Sequence, residues 1–513
     1  MDSPHKPRIC ISVCESTIAA LEGALTAAAA QGDLIEVRLD CLDSLQLKTG
    51  RNAIQELLKQ LNCESIVTFR PAEQGGRRAL DLAARSKFWA SPNHPSSNSW
   101  HDIELDLAEA LNSSPSFRLD WRRIICSHHD FVRMPADLSD IYRRLAATPA
   151  AVLKIGVQAD DALECLPLFQ LLERARQDGR EMIALAMGTA GLATRILGPS
   201  RGSFLTYAAL DHESATAPGQ ISARELRQVY RLANIDQQTA IFGLLGQPVS
   251  HSFSPYMHNA AFAAAGTNAV YIPFEVNNVD AFLKRMVHPR TRELVWNLHG
   301  LSVTAPHKFA VMDRLDWIEP RALAIGAVNT IVVRDDALLG YNTDAAGFIK
   351  PLEAMCGDLR RARCAVIGAG GSACAALFSL KSAGAAATIF SRDAAKASAL
   401  AERFGVESMM LEDASFAGFD VVVNATPAGT SGRLVNETPA SAAQLRGARL
   451  AYDLVYNPAS TAFLREANAA GCETLGGLAI LVGQAEEQFK LWLGQAPPEG
   501  VMYGAAQKRR SEI

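Results

Sequence analysis

The feature that most constrains this 513-residue chain is a repeated alternation of short β-prone runs with helix-prone stretches. Up to about residue 210 the helix-prone segments, such as residues 52–62 and 163–178, separate the runs ICISV, LIEVRL, SIVTF, RIIC, AVLKIGV and MIALAMG. Such an alternation predicts βαβ units and a parallel sheet. The length itself predicts about three domains.

The alternation restarts twice, and each restart predicts a domain boundary. The run IFGLLG begins a new series after residues 234–239. The run RCAVIGAGG, at residues 363–371, begins another, with CAVIG, ATIFS, DVVVNAT and LAYDLVY as its strands. We therefore place one boundary near residues 234–239 and the next within residues 345–365.

Composition and charge exclude several classes of protein. Hydrophobic residues make up 49% of the chain and charged residues 20%, which is typical of a globular protein and argues against disorder or a fibrous repeat. The net charge of −4 provides no field to hold a polyanion, so we expect no nucleic-acid partner. No run reaches the roughly 18 apolar residues of a spanning helix, so we expect no membrane partner.

The cysteines and the N-terminus lead to a prediction about the compartment. The ten cysteines are scattered without zinc-ligand spacing, which predicts free thiols in a reducing cytosol and no metal site. The segment MDSPHKPRICISVCE has neither an apolar signal core nor an amphipathic transit pattern. We therefore expect a cytoplasmic protein, with a plastid location only after processing.

Lys154 is a lone amine inside the apolar run AVLKIGV. Removal from water disfavours its charged form and raises the neutral fraction, which can attack a carbonyl and form a Schiff base. The alternative is an edge-strand lysine that points to water, and this run alone does not distinguish the two. Other strand ends carry polar residues as well, namely Glu36, Arg38, Arg70, His129 and Arg195. Their convergence would form the active face of a (β/α)₈ barrel, although each taken singly suits an ion pair or a solvated loop group.

Six motifs in order resemble type I 3-dehydroquinate dehydratase. They are ExR at residues 36–38, FR…GG at 69–76, SxHDF at 127–131, the strand lysine, MGxxGxxxR at 187–195 and TAPGQ at 216–220. The resemblance implies a TIM barrel over residues 1–236, with Lys154 as the Schiff-base lysine, His129 as the proton-transfer group and Arg195 as the carboxylate clamp. The other substrate-binding or orienting residues that it implies are Glu36, Arg38, Arg70, Thr216 and Gln220.

Two expectations accompany this resemblance. Glu36 would orient His129 and stabilise its charged form. Gln74 stands where family members usually carry Glu, so a charge is lost from the site. This departure leaves open the alternative that the barrel is a catalytically idle binding module.

A glycine-rich turn predicts a dinucleotide site in the second half of the chain. GAGGSAC, at residues 368–374, follows the strand CAVI and opens an Ala-rich helix, whose free N–H groups and dipole favour a pyrophosphate. At the end of the next strand Arg392 replaces the usual acid, and Lys396 follows four residues later. Both favour the 2′-phosphate of NADP, while Asp393 partly cancels that charge.

Further motifs around this turn resemble shikimate dehydrogenase. They are GQPVSHSFSPYMHNAAF at residues 246–262, GLSVTAPHK at 300–308, GAVNT at 326–330, GYNTDAAGF at 340–348, NATPAGT at 424–430, DLVYNP at 453–458 and GGLAILVGQA at 476–485. The resemblance implies a substrate-binding domain at residues 237–345, completed by C-terminal helices at 476–513, and a Rossmann NADP-binding domain at 346–475. The whole chain is then an α/β protein, a TIM barrel followed by a two-domain dehydrogenase.

The resemblance also implies residue roles. Lys308 and Asp344 form the catalytic pair. The implied substrate ligands are Ser252, Ser254, Thr304, Asn329, Tyr456 and Gln484. The implied cofactor ligands are Gly368, Gly370, Gly371, Ser391, Arg392, Lys396, Asn424 and Thr426.

Together the two halves resemble the plant-type fused enzymes. This resemblance implies dehydration of 3-dehydroquinate to 3-dehydroshikimate in the barrel, followed by reduction to shikimate with NADPH, with no metal and with a monomer favoured. An alternative is a quinate dehydrogenase that uses NAD, motivated by Asp393 and by Cys374, where a basic residue often follows the glycine loop.

Overall fold

The structure is a computed structural model that describes residues 6–90, 99–113, 120–211, 213–412 and 414–512. The chain folds as two compact units. The first unit runs to Thr239 and includes Ile272–Met286 and Arg292–Asn297. The second unit comprises Ala240–Tyr271, Val287–Thr291 and the chain from Leu298 onward.

An eight-stranded parallel sheet forms the core of the first unit. Its strands are β1 (Ile9–Val13), β2 (Leu34–Arg38), β3 (Glu64–Thr68), β4 (Trp100–Glu104), β5 (Ile124–Asp130), β6 (Val152–Gln158), β7 (Glu181–Met187) and β8 (Thr206–Ala208). They pair in the order β7-β6-β5-β4-β3-β2-β1-β8. A parallel bridge between Met182 and Ser203 joins β7 to the segment that leads into β8, so the sheet closes almost completely into a barrel. The predicted (β/α)₈ fold is confirmed.

Helices alternate with these strands, as the sequence pattern predicted. They are α1 (Ile18–Ala29), α2 (Ser44–Thr49), α3 (Arg51–Gln60), α4 (Leu82–Ala90), α5 (Leu105–Asn112), α6 (Leu138–Ala146), α7 (Cys165–Gln177), α8 (Leu192–Leu197) and α9 (Ala223–Gln228). Sequence patterning found the strands that are apolar runs and missed β4 and β8. The sequence of β4, WHDIE, is largely polar, yet its residues from His101 to Glu104 are buried.

The second half of the chain begins with a six-stranded mixed sheet. Its strands are β9 (Ala240–Gly246), β10 (Ala269–Glu275), β11 (Leu298–Val303), β12 (Trp317–Ile318), β13 (Thr330–Arg334) and β14 (Ala337–Tyr341), in the order β10-β9-β11-β13-β14-β12. Strand β13 runs antiparallel to both of its neighbours. The helices of this part are α10 (Ser254–Ala264), α11 (Val279–Phe282), α12 (Pro320–Ile325) and α13 (Asp344–Cys356).

A six-stranded parallel sheet of the Rossmann type follows. Its strands are β15 (Arg363–Ile367), β16 (Ala386–Ser391), β17 (Glu407–Met410), β18 (Val421–Asn424), β19 (Leu450–Asp453) and β20 (Glu473–Leu475), in the order β17-β16-β15-β18-β19-β20. The helices are α14 (Gly371–Ser382), α15 (Ala394–Phe404), α16 (Ala442–Leu445), α17 (Ala462–Ala469), α18 (Leu478–Leu493) and α19 (Val501–Ser511). The strand order reverses direction between β15 and β18, which is where such sheets bind ligands.

The last two helices return to the first sheet of the second unit. Phe489 and Trp492 of α18 and Met502 of α19 share a buried apolar cluster with Phe242 of β9 and Met257 of α10. The Rossmann sheet is therefore an insertion between parts of the chain that pack together.

The expectation that every cysteine is a free thiol is wrong. Cys14 and Cys41 form a disulfide with Cα atoms 5.4 Å apart, and the remaining eight cysteines are free. Cys14 follows β1 and Cys41 follows β2, and these strands are parallel neighbours. The two residues meet because the carboxyl ends of adjacent strands meet, a relation that their sequence separation of 27 does not reveal.

Membrane spans and metal clusters are both absent from the residues that the structure describes. No helix among them is both long and apolar enough to cross a membrane. No group of three or more His, Cys, Asp or Glu side chains among them is arranged to hold a metal ion.

The disulfide predicts a thiol count. In guanidinium without reductant we expect eight of the ten cysteines to react with a thiol reagent, and all ten after reduction. Replacing one partner, as in Cys14→Ser, should leave nine reactive thiols because Cys41 is then free. Ten reactive thiols in the unreduced wild-type protein would contradict the disulfide.

Candidate active sites

A cavity of about 480 Å³, counted with its open mouth, lies at the carboxyl ends of the barrel strands. Every residue that the sequence predicted for this half lines it: Glu36, Arg38, Arg70, His129, Lys154, Arg195, Thr216 and Gln220. They come from β2, β5 and β6 and from segments that follow β3, β7 and β8. The closed parallel barrel brings them together because it gathers the carboxyl ends of all its strands at one edge.

Lys154 points into the barrel and is buried, so the edge-strand alternative does not apply. Its Nζ donates hydrogen bonds to Asp102 Oδ2 and to the Tyr207 hydroxyl, both at 2.8 Å, and lies 3.6 Å from Glu36 Oε1. The amine is therefore held in one place by polar partners instead of being simply desolvated.

Arg70 and Asp102 form the centre of a buried charge network. Arg70 Nη2 donates to Asp102 Oδ2 at 2.9 Å, and Nη1 donates to Ser127 Oγ at 2.9 Å. Burial alone would raise the pKa of Asp102, but the positive charges of Arg70 and Lys154 hold it well below its usual range. Asp102 is thus an anion shared by both cations.

His129 is held from two sides. Arg70 Nη1 lies 2.7 Å from Nδ1 of the ring, and because a guanidinium only donates, Nδ1 is the acceptor. The backbone N–H of His129 donates to Gln74 Oε1 at 3.0 Å. Burial lowers the pKa of His129, and the charges of Arg70 and Lys154 lower it further. The site therefore holds a neutral imidazole.

Gly156 allows this ring to lie beside the lysine strand. A Cβ atom at position 156 would come within 2.9 Å of His129 Cδ2. Because side chains alternate along a strand, residues 154 and 156 share one face of β6. The KIG sequence thus places the amine and the imidazole on the same face.

The sequence analysis predicted that Glu36 orients His129, but in the structure Glu36 does not contact it. Its carboxylate accepts hydrogen bonds from Ser12 Oγ at 2.5 Å and Thr68 Oγ1 at 2.8 Å. Burial would raise the pKa of Glu36, but Lys154 and the nearby arginines lower it. Glu36 therefore faces Lys154. The residues that hold His129 are Arg70 and Gln74, and not Glu36.

Arg195 is a buried cation without an anionic partner. No carboxylate of the described chain pairs with it, and its Nε has no hydrogen-bond partner there. Its Nη groups reach only the backbone oxygens of Tyr207 and Pro218, at 3.3 and 3.4 Å. Burial lowers the pKa of Arg195 to about 10. An unpaired guanidinium that faces a cavity is suited to bind a carboxylate from a ligand.

The loop after β8 covers this side of the cavity. Gln220 Oε1 accepts hydrogen bonds from the backbone N–H groups of Thr216 at 2.7 Å and Ala217 at 3.3 Å. The Gln220 side chain therefore braces the loop through its oxygen.

Sequence reasoning missed Asp102 and Tyr207, the hydrogen-bond partners of Lys154. Both lie on strands that were not recognised, β4 and β8. The available signal in β4 was the period-two placement of Asp102 and Glu104, which directs both carboxylates to one face.

A second site lies in the second unit, where Lys308 Nζ forms a direct ion pair with Asp344 Oδ2. Asn329 Nδ2 donates to Asp344 Oδ1 at 2.8 Å and to Thr343 Oγ1 at 2.9 Å. Asp344 opens α13, and its carboxylate is held by the Asn329 amide and the Lys308 amine. The two residues predicted as a pair are brought together.

Other predicted substrate residues of this unit make contacts of their own. Tyr456 hydrogen-bonds Ser252 and packs its ring 5.1 Å from that of Phe253. Ser254 is buried and hydrogen-bonds Tyr271. Gln484 lies on α18 against Gly347 of α13, near enough that a Cβ at position 347 would come within 2.8 Å of its backbone N.

Gln488, one helical turn after Gln484, is a residue that sequence reasoning missed. Its Oε1 accepts from Ser302 Oγ at 2.8 Å, and its Nε2 donates to Thr330 Oγ1 at 3.1 Å. The i, i+4 spacing of Gln484 and Gln488 on α18 was the signal available for it. Gln488 ties α18 to β11 and β13 behind the site.

A large cleft of about 1920 Å³, counted with its open mouth, lies beside Lys308. Of the predicted cofactor residues it is lined by Gly368, Gly370, Gly371, Ser391, Arg392, Lys396 and Thr426, and the substrate residues Thr304 and Tyr456 also line it. Asn424 lies buried behind the cleft. Gly368, with φ of +119°, makes the turn from β15 toward α14 that other residues rarely adopt.

The charged side chains that follow β16 differ in whether they are paired. Asp393 caps α15 by accepting the N–H of Lys396 and pairs with Lys396 Nζ at 3.1 Å. Arg392 forms no ion pair within the described parts of the chain. The negative charge of Asp393 is therefore taken up by Lys396, and Arg392 is left for a ligand.

Cys374 gives no support to an altered cofactor site. It is buried in α14 among apolar side chains, and burial raises the pKa of its thiol to about 11. The thiol therefore stays protonated and packs in the core.

Comparison with known families covers both halves. Residues 9–237 match the family described as Type I 3-dehydroquinase, and residues 244–331 match the Shikimate dehydrogenase substrate binding domain. Residues 352–454 match Shikimate / quinate 5-dehydrogenase, and residues 477–507 match the Shikimate 5'-dehydrogenase C-terminal domain.

Individual relatives resemble either the whole chain or its second half. The bifunctional 3-dehydroquinate dehydratase/shikimate dehydrogenase of Arabidopsis thaliana is 33% identical over 488 residues, which cover 91% of this chain and 78% of that protein. The shikimate dehydrogenase (NADP(+)) of Oleidesulfovibrio alaskensis is 43% identical over 265 residues, covering 50% of this chain and 91% of that protein. The structure of shikimate 5-dehydrogenase from Thermus thermophilus, in complex with NADP(H) and shikimate, is 36% identical with a TM-score of 0.47, covering 52% of this chain and 99% of that one.

The charge network predicts how His129 titrates. In the wild-type protein we expect its imidazole to titrate below the ordinary value of about 6.5. Arg70→Gln should raise the pKa of His129 because it removes a neighbouring positive charge. Nuclear magnetic resonance of labelled histidines measures this, with a His129→Asn variant to assign the signal.

Arg77→Gln is the matched control, since Arg77 is an exposed residue of the same loop. It should leave the titration of His129 unchanged. An unchanged pKa in Arg70→Gln would show that Arg70 does not control the protonation of the ring.

Proposed function

Because the chain belongs to the family of bifunctional 3-dehydroquinate dehydratase/shikimate dehydrogenases, we propose that it catalyses two successive reactions. The barrel dehydrates 3-dehydroquinate to 3-dehydroshikimate, and the second unit reduces that product to shikimate with NADPH. The observation that carries the proposal is the single cavity in which a buried amine, Lys154, and an unpaired guanidinium, Arg195, face the same space. A substrate that has both a ketone and a carboxylate satisfies both groups.

In the barrel, Arg195 binds the substrate carboxylate and Lys154 attacks the C3 ketone. Loss of water leaves an iminium, which withdraws electrons and acidifies the neighbouring C2 proton. His129 accepts that proton at Nδ1, the ring nitrogen that carries no hydrogen, in place of the hydrogen bond from Arg70, and returns it to the hydroxyl group that departs as water. Hydrolysis of the iminium then frees Lys154 for the next turnover. Asp102, Tyr207 and Glu36 keep the amine in position throughout.

In the second unit, Ser252 and Ser254 bind the substrate carboxylate, and Lys308 donates a proton to the carbonyl oxygen as it becomes a hydroxyl. Asp344 orients Lys308, and Asn329 fixes Asp344. When bound, NADPH supplies the hydride. The residues present suit that cofactor, since the cleft combines the Gly368 turn, the start of α14 and the unpaired Arg392. Arg392 favours the 2′-phosphate and therefore NADP over NAD.

A coupled assay tests both activities at once. The purified chain is mixed with 3-dehydroquinate and NADPH, and the absorbance of NADPH is followed without any added enzyme. A steady fall supports both activities. No fall with 3-dehydroquinate but a fall with 3-dehydroshikimate would identify the barrel as idle, and a preference for quinate with NAD in the reverse direction would overturn the proposed substrate.

Lys154→Ala should reduce dehydration by at least about 10³-fold, because the variant lacks the buried amine that forms the iminium. Shikimate oxidation should be unchanged. Borohydride added with 3-dehydroquinate should give a mass adduct on Lys154 in the wild type and none in the variant. Wild-type protein that gives no adduct while dehydrating its substrate would exclude the Schiff-base route.

Lys308→Ala should show the opposite pattern. Shikimate oxidation should fall by roughly 10²–10⁴-fold, the usual contribution of a positioned acid or base, while dehydration continues. Lys350→Ala serves as the matched control, because Lys350 is an exposed lysine of α13 that pairs with Glu487. Loss of both activities in a folded Lys308→Ala protein would argue against independent sites.

A further inference from the structure

Asp453 is a buried carboxylate that no positive charge neutralises. It ends β19 and is completely inaccessible to solvent. No Lys, Arg or His of the described chain pairs with it. Burial raises the pKa of Asp453 to about 6, against the effect of its hydrogen bonds. A carboxylate kept in such surroundings costs stability unless every lone pair has a donor.

Three neutral donors satisfy this carboxylate. Oδ1 accepts from Asn424 Nδ2 at 2.9 Å and from the backbone N–H of Val455 at 3.0 Å, and Oδ2 accepts from Thr461 Oγ1 at 2.5 Å. Thr461 is also the N-cap of α17. Asp453 therefore connects two strand ends and a helix start through one side chain.

Asn424 carries the connection to the neighbouring loop. It ends β18 and lies directly opposite Asp453 in the parallel register. Its Oδ1 accepts from both the backbone N–H, at 3.0 Å, and the hydroxyl, at 2.7 Å, of Thr426. The NH₂ group of Asn424 donates to Asp453 Oδ1 at 2.9 Å and to the backbone oxygen of Ala428 at 3.3 Å, which turns the amide oxygen toward Thr426.

The two loops joined in this way form one wall of the cleft. Thr426 lines the cleft in the loop after β18, and Val455 and Tyr456 line it in the loop after β19. Tyr456 also hydrogen-bonds Ser252, a predicted carboxylate ligand of the substrate. One buried contact thus sets the positions of groups that face the cofactor and of a group that faces the substrate.

We propose that Asp453 is a positioning residue of the dehydrogenase, which through Asn424 and Val455 holds the cofactor loop and the Tyr456 loop in a common geometry. The inference rests on the proposed reduction of 3-dehydroshikimate in this unit. Asp453 does not line the cleft, so it acts through the residues it holds. An isosteric amide cannot replace it, because Asn offers one oxygen and one NH₂ group where three donors converge.

The test is a comparison of steady-state constants for shikimate oxidation by the full chain. Asp453→Asn should raise the KM for both NADP and shikimate by roughly tenfold, the usual effect of a lost charged hydrogen bond. We expect kcat to fall less than either KM rises, since Lys308 and Asp344 are untouched.

Asp420→Asn is the matched control. Asp420 precedes β18 at the opposite edge of the same sheet and accepts a hydrogen bond from the backbone N–H of Arg363 at 2.8 Å. This variant should lower the melting temperature without changing either KM. Equal KM values in Asp453→Asn and Asp420→Asn would overturn the proposal and leave Asp453 a purely structural role.

Asn424→Ala provides a second route if Asp453→Asn does not fold. Asn424→Ala should raise both KM values. Where it can be combined with Asp453→Asn, the double variant should have KM values no higher than those of the poorer single variant, because both changes break the same contact. Normal KM values in Asn424→Ala would also overturn the proposal. Wild-type protein that does not oxidise shikimate with NADP would instead refute the proposed function, which keeps the two failures distinct.

Discussion

The geometry of the barrel site and of the dinucleotide cleft depends on parallel strands that end at a common edge. A parallel connection returns the chain to the same end of the sheet before each new strand, so every strand delivers its following loop to one edge. In the barrel this constraint brings Glu36 to the same cavity as Gln220. In the Rossmann sheet it places the turns after β15, β16, β18 and β19 around one cleft. The side chains at these strand ends and in the loops that follow them provide the chemical groups of each site.

Charge pairing separates residues that hold the sites together from residues that are left for ligands. Arg70 contacts Asp102, Ser127 and His129, and burial together with the charge of Arg70 lowers the pKa of the imidazole. Arg195, in the same cavity, has no such partner within the described chain. The same division appears in the second unit, where Lys396 is paired with Asp393 and Arg392 is not. A cation with its own carboxylate positions its neighbours, and an unpaired cation provides binding energy for an anion.

Residue type and order predicted much of both sites, because each essential group lies in a run that is recognisable locally. Lys154 interrupts an apolar strand, and Gly368 follows one. The prediction failed where the local pattern is ambiguous. Strand β4 was missed because Asp102 and Glu104 make its sequence too polar for a buried strand, and its burial makes sense only once Arg70, Arg85 and Lys154 surround it. The pairing of Cys14 with Cys41 was missed because nothing in their spacing indicates that β1 and β2 are neighbours.

The sequence by itself determined the alternation of strands and helices, the two series of motifs and the kinds of side chain at the strand ends. Only the tertiary structure decided which of those side chains meet. Glu36 was expected beside His129, yet strand order and barrel closure place it against Lys154, and Arg70 and Gln74 hold the histidine. Asn424 and Asp453 became partners only through the register of β18 and β19. The physical reason is that propensity and hydrophobic period act over a few residues, whereas these contacts join residues far apart in the chain through packing.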